Sequence, residues 1–118
     1  EFLRVVGENP SELEKQLLGR MTAEMWTLRQ MSMSVMGKLA AGEDPAVDAA
    51  VVKDLGTSFE QELPRLVQAS ARADVTLESG DPFDDTLSYL LQSSPSFSLR
   101  GGTREILRGI IAKELGLR

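Results

Sequence analysis

At 118 residues the chain is one domain's worth, able to bury a single core of ordinary size. Its 42% apolar, 26% charged and 5% aromatic residues are the composition of a folded helical domain built from Leu, Val, Ile, Ala and Met, and not of a disordered chain. Thirteen basic against eighteen acidic residues leave a formal charge of −5, and with no basic stripe carrying interleaved aromatics, nucleic acid is not an expected partner.

Residues 1–7 are assigned no element, and whether they are native to the domain is left open. The first strong period runs through Leu18, Met21, Met25, Leu28, Ser32, Val35 and Leu39. Alternating steps of three and four predict a helix with one apolar seam. Ser11 is its expected cap, Glu12 and Glu14 suit the positive end of its dipole, and Gly42 is its expected stop. Asp44-Pro45 repeats the start signal, a cap followed by proline at the first helical position. The second helix is expected to turn Val47, Val51, Leu55, Phe59, Leu63, Leu66 and Val67 inward. A kink or break is expected at Pro64, which lacks an N–H and crowds the turn before it.

Residues 71–80 are the least regular stretch, with Thr76, Glu78, Ser79 and Gly80 reading as loop. Asp81-Pro82 makes a third start signal and opens a short helix through Phe83, Leu87, Leu90 and Leu91 that fades in Gln92-Ser93-Ser94. Residues 95–100 read as an extended connection. The last helix is expected from about Thr103 to about Leu115, burying Ile106, Leu107, Ile110 and Ile111, with Gly116 as its stop.

No segment alternates with period two and no long repeat is present. The expected fold class is all-α, an up-and-down helical bundle of about four helices forming one domain over residues 1–118. No apolar stretch nears the roughly 20 residues of a membrane span, and the first residues lack the basic-then-apolar order of a signal peptide. A cytoplasmic location is the expectation.

The chain has no Cys and no His. Thiol chemistry is excluded and the usual general base is missing, so chemistry would fall to carboxylates, backbone groups or an organic cofactor; no metal site is expected. Asp84-Asp85 and Glu43-Asp44 stand at helix starts, where capping accounts for them. Met21, Met25, Met31, Met33 and Met36 on one helix read as core or subunit packing, and Trp26 and Tyr89 as half-buried packing. Met31, Met33 and Met36 lie off the main seam and form a second apolar strip, which points to self-association as a dimer or tetramer. Gly101-Gly102-Thr103, set directly before the last helix, allows two readings. One is a turn plus cap. The other is a backbone laid bare for a phosphate-bearing ligand, with the N–H groups of Gly102 and Thr103 forming a concave positive site.

The run "LLQSSPSFSLRGGTREILRGIIAKELGLR", residues 90–118, resembles the end of the acyl-CoA dehydrogenases. Those chains close with Gly-Gly-Thr or Glu-Gly-Thr, then Ser-Glu-Ile, an Arg, an Ile-Ile-Ala run and a final Leu-Gly-Leu. Gly101, Gly102, Thr103, Glu105, Ile106, Arg108, Ile110, Ile111, Ala112 and Glu114 to Leu117 fit that pattern, and Arg104 stands in place of the usual Ser. The specific likeness covers about a quarter of the chain, and the two long helices before it are similar in length and order to the family's C-terminal helical domain.

The resemblance implies an FAD-dependent enzyme that dehydrogenates acyl-CoA thioesters, with Gly101, Gly102, Thr103 and Glu105 contributing part of the cofactor site. It also implies a partner role in a dimer of dimers. The base of one branch of the family stands where this chain has Gly101, which cannot take a proton; in other branches it lies upstream, on the first helix of the domain. No catalytic residue is therefore assigned, and the chain reads as an incomplete C-terminal domain without the family's N-terminal helical and β domains. Gln68 is similar in place to a family glutamine near a neighbouring subunit's flavin, although Ala71-Arg72 replaces the Gly-Gly that usually follows it. Two alternatives stay open: the same domain in a non-catalytic partner subunit of a heteromeric enzyme, and an unrelated helical oligomerisation module.

Overall fold

In the computed structural model, the described residues are 1–71, 76 and 78–117. Part of the irregular stretch 71–80, Arg72 included, lies outside them. Among the described residues the chain is all-helical and has no strand. The elements are α1 (Phe2–Val6), α2 (Glu12–Ala40), α3 (Ala46–Ala71), α4 (Pro82–Ser93), a 3₁₀ turn (Ser94–Leu99) and α5 (Arg104–Glu114).

The start signals at Ser11 and Asp81 act as expected, whereas α3 begins at Ala46, one residue after the expected Pro45. Ser11 and Glu14 form a reciprocal capping box: Ser11 Oγ accepts from the Glu14 N–H at 3.3 Å, and the Glu14 carboxylate accepts from the Ser11 N–H at 2.7 Å. Asp44 accepts from the Ala46 N–H at 2.9 Å, and Asp81 from the N–H groups of Phe83 and Asp84 at 2.8 and 3.3 Å. α2 ends just before Gly42, whose φ of +76° carries the chain out of the helix.

Several expectations are corrected. Phe2–Val6, assigned no element from the sequence, form α1, whose Val6 is buried and whose Phe2 ring stacks on Phe83 with centroids 6.5 Å apart. Pro64 does not break α3, which runs unbroken through it. α3 is gripped by α2 on one side and by α4, the 3₁₀ turn and α5 on others, and this packing outweighs the roughly 3 kcal/mol that an interior proline takes away. Residues 95–100 are not extended. Ser93 and Ser96 turn their hydroxyls back onto the carbonyls of Tyr89 and Ser93, at 2.8 and 2.7 Å, and wind the segment into the 3₁₀ turn.

The seam of α2 is rotated from the expected one. Leu17, Met21, Glu24, Leu28, Met31, Val35 and Lys38 are buried or half-buried, whereas Met25 and Leu39 are exposed. Two charged residues can enter this seam because each keeps its head paired: Glu24 accepts from Arg20 at 2.7 Å, and Lys38 reaches Asp48. On α3 Leu55 is exposed, and on α5 Ile106 and Ile110 are exposed while Leu107 is buried.

The core sits at one end, where Leu17, Val67, Phe83 and Leu87 meet with Phe2, Met21, Leu63, Leu66 and Leu91 packed around them. From there the α2–α3 pair extends outward, giving extents of 47 × 27 × 24 Å. The radius of gyration is 17.3 Å, against about 13.5 Å for a compact domain of this length. α2 packs chiefly on α3, so its far face carries Trp26, Met33 and Met36 in the open.

Candidate functional site

Gly101 and Gly102 have φ values of +71° and +105°. Successive left-handed backbone angles are a conformation that only glycine adopts without strain. Space is not the reason for glycine here: a Cβ on Gly101 would stand 3.6 Å from Lys53 Cε, and one on Gly102 3.6 Å from Leu107 Cδ2, both ordinary contacts. Thr103 is then extended, and its carbonyl accepts the Leu107 N–H at 3.0 Å.

The Thr103 hydroxyl does not cap α5. It serves Glu105 instead: the Glu105 carboxyl is held below its usual range by its own backbone N–H and then by the Thr103 hydroxyl. Part of the positive end of α5 is thus already faced by a carboxylate. The N–H groups of Gly102 and Thr103 donate to no group among the described residues. The stem of Lys53 lies on the Gly101 side of the turn.

Thr103 and Glu105 share an open cleft of about 190 Å³ with Gln61, Ser98, Leu99 and Arg104. Gly101 and Gly102 do not line it; they face Lys53 and Leu107. Gln68 is half-buried on α3 and does not line it either. Gly101 carries no ionisable group, as expected from its residue type. Asp85 accepts from the Ser79 N–H at 2.8 Å, so that carboxylate at the start of α4 is taken up in a local turn. Among the described residues no cluster suited to a metal ion occurs.

Sequence reasoning missed the residues that fasten this turn to the rest of the fold. Arg104 donates to Ser58 Oγ at 2.7 Å and to Gln61 Oε1 at 3.3 Å. Its Nε lies 3.4 Å from Asp54 Oδ1, an ion pair too poorly aligned to count as a hydrogen bond for either atom. Arg108 donates to the other Asp54 oxygen at 3.2 Å. The available signal was the spacing of Asp54, Ser58 and Gln61, steps of four and three that place three polar residues on one stripe of a helix otherwise read by its apolar side.

The turn fits one part of a dinucleotide. Two backbone donors without a partner among the described residues suit a phosphate oxygen, while the Glu105 carboxylate at the same helix end opposes one. The flavin and adenine rings find no enclosure here, since a cleft of about 190 Å³ is well below the several hundred Å³ of a typical cofactor pocket. Compared with family models, with curated proteins and with solved structures, the chain matches none.

Proposed function

We propose that this chain is the C-terminal helical domain of an FAD-dependent acyl-CoA dehydrogenase, contributing part of the cofactor site and a subunit interface. The observation that carries the reading is the run from Gly101 to Leu117, which agrees with the closing pattern of that family at thirteen of its seventeen positions. Two features are consistent with it: the paired positive-φ glycines ahead of α5, and the unpartnered N–H groups of Gly102 and Thr103.

When bound, FAD supplies the acceptor for a hydride from Cβ of the acyl thioester. The role of this chain's residues is to bind and orient. Gly102 and Thr103 would donate to a phosphate oxygen through their backbone N–H groups, with Lys53 on the Gly101 side of the turn and Glu105 at the start of α5. No carboxylate of this chain is assigned to removal of the α proton, since Gly101 occupies the place of the base in one branch of the family.

A second reading, a helical oligomerisation module, is favoured by the exposed Trp26, Met33 and Met36 on α2. One experiment separates the two. The natural protein that contains this chain is purified, assayed for bound flavin by its absorbance, and given acyl-CoA thioesters with an artificial electron acceptor. Bound FAD and α,β-dehydrogenation are expected. An assembly without flavin and without turnover would overturn the catalytic reading. The 118-residue chain by itself is expected to bind FAD weakly or not at all, and submicromolar affinity would overturn the division of the site between domains.

A further inference from the structure

The connection between α4 and α5 is held at both ends by one side chain. Gln61, half-buried on α3, donates from Nε2 to the Pro95 carbonyl at 3.1 Å, near the start of the 3₁₀ turn. On Oε1 it accepts from Arg104 Nη2 at 3.3 Å, one residue beyond Thr103. The same guanidinium is steadied by Ser58 and Asp54. Residues 95–104 therefore close into a loop whose two ends meet on a single carboxamide.

Inside that loop lie Gly101 and Gly102, the two residues with the most backbone freedom to lose. The local bonds within it are long and few on this side: Arg100 N–H to Phe97 O at 3.3 Å and Ser98 Oγ to Pro95 O at 3.3 Å both precede the glycines. What holds the glycine pair in one conformation must come from outside the loop, and α3 supplies it.

We propose that Gln61, acting through Arg104, is the positioning residue that holds the Gly101-Gly102-Thr103 backbone in its donor-presenting form; that this form receives a phosphate rests on the reading under Proposed function. A carboxamide suits the task because one planar group offers both a donor and an acceptor. Glutamate at this position would keep the acceptor for Arg104 and lose the donor for Pro95. Leucine would lose both.

The test uses the 118-residue chain, its Gln61→Leu and Gln61→Glu variants, backbone ¹⁵N relaxation, and titration with inorganic pyrophosphate. In Gln61→Leu the order parameters of Gly101, Gly102 and Thr103 fall from about 0.85 to below about 0.6 while helix content by circular dichroism is unchanged. In Gln61→Glu the loosening is confined to residues 95–100. Pyrophosphate shifts the Gly102 and Thr103 amides of the wild-type chain and of Gln61→Glu, with affinity about tenfold weaker in Gln61→Leu because a disordered turn must be ordered on binding. Unchanged order at residues 101–103 in Gln61→Leu overturns the proposal. Should that variant not fold, Gln61→Met takes its place, with the same loss of order at residues 101–103 expected and unchanged order there overturning the proposal. The relaxation comparison decides for or against Gln61 whatever the pyrophosphate response, and the flavin assay of the natural protein decides the cofactor reading separately.

Discussion

Arg108 donates to Asp54 at 3.2 Å across the α3–α5 contact, and the Asp54 side chain is only 15% exposed while that of Arg108 is 62% exposed. Since Arg104 approaches the other oxygen of the same carboxylate, one acidic group on α3 answers two cations on α5. Removing the shared partner is much more damaging than removing one claimant. Asp54→Ala is expected to lower stability by about 2–3 kcal/mol, below the full range for a completely buried pair because solvent reaches this one. Arg108→Ala should change it by less than about 1 kcal/mol. Urea denaturation measures both, and equal effects would reduce the cluster to a surface pair.

The aromatic stack that ties α1 to α4 gives a second comparison. Phe83 is buried and Phe2 half-buried, with an interplanar angle of 23°. Phe83→Ala is expected to lose about 3–5 kcal/mol, as for a core aromatic, and Phe2→Ala about 2 kcal/mol from half the burial plus the ring contact. A Phe2→Ala variant with wild-type melting would show that α1 does not stabilise the core.

Gly102→Ala tests the backbone argument. Its φ of +105° strains any residue with a Cβ, yet the nearest atom to that Cβ, on Leu107, is 3.6 Å away. The expected loss is about 1–3 kcal/mol, from strain and not from a clash. Gly109→Ala, in the middle of α5 with nothing within 4 Å of the new Cβ, should instead be neutral or stabilising by up to about 1 kcal/mol. If both variants melt alike, the turn is not held in the left-handed conformation.

Dependence on pH follows from three carboxyl groups and one amine. The Ser11 hydroxyl and then the Ser11 N–H hold Glu14 below its ordinary 4.5. The Phe83 N–H, then the Asp84 N–H and Arg4, hold Asp81 below 3.8. Glu105 is lowered mainly by its own N–H. A depressed folded value contributes stability that is present above the unfolded value and lost as pH falls through the folded one. Stability is therefore expected to be flat between about pH 5 and 7 and to decline below 4.5 as these groups are protonated. Lys38, raised above 10.5 by its hydrogen bond to Asp48, has the opposite sign: its contribution holds below 10.5 and fades as pH rises through the folded value. Thermal melts of wild type and Glu14→Gln from pH 3 to 7 check the acid side, where the variant should show a shallower decline.

The open face of α2 predicts assembly. Trp26, Met33 and Met36 are 63%, 60% and 62% exposed, and their spacing places them along one side of the helix. Such a strip is expected to be covered by a second copy of the chain, in a symmetric dimer or a higher assembly. Sedimentation at micromolar concentration should show self-association that Met33→Lys with Met36→Lys abolishes without loss of helix content. A clean monomer for the wild-type chain would defeat the idea.

What the sequence determined by itself is local. Ser11 with Glu14, Asp44-Pro45, Asp81-Pro82, Gly42 and Gly101-Gly102 mark where helices start and where the chain turns, because each acts through bonds and dihedrals within a few residues of itself. All-α class, and four of the helices, were legible for that reason. The phase of α2 was not, since the seams through Met25 and through Glu24 differ by one residue at alternate positions and share Met21, Leu28 and Val35. Only the pairing of Glu24 with Arg20 and of Lys38 with Asp48 lets charged stems occupy the packed side. The continuity of α3 through Pro64 and the exposure of Ile106 and Ile110 likewise depend on neighbours distant in sequence. The same holds for the candidate site. The glycine turn is written in adjacent residues, but its attachment to Gln61, Ser58 and Asp54 joins positions more than forty residues apart, and polar side chains on a helix carry no mark of whether they meet water or an arginine until the helices pack.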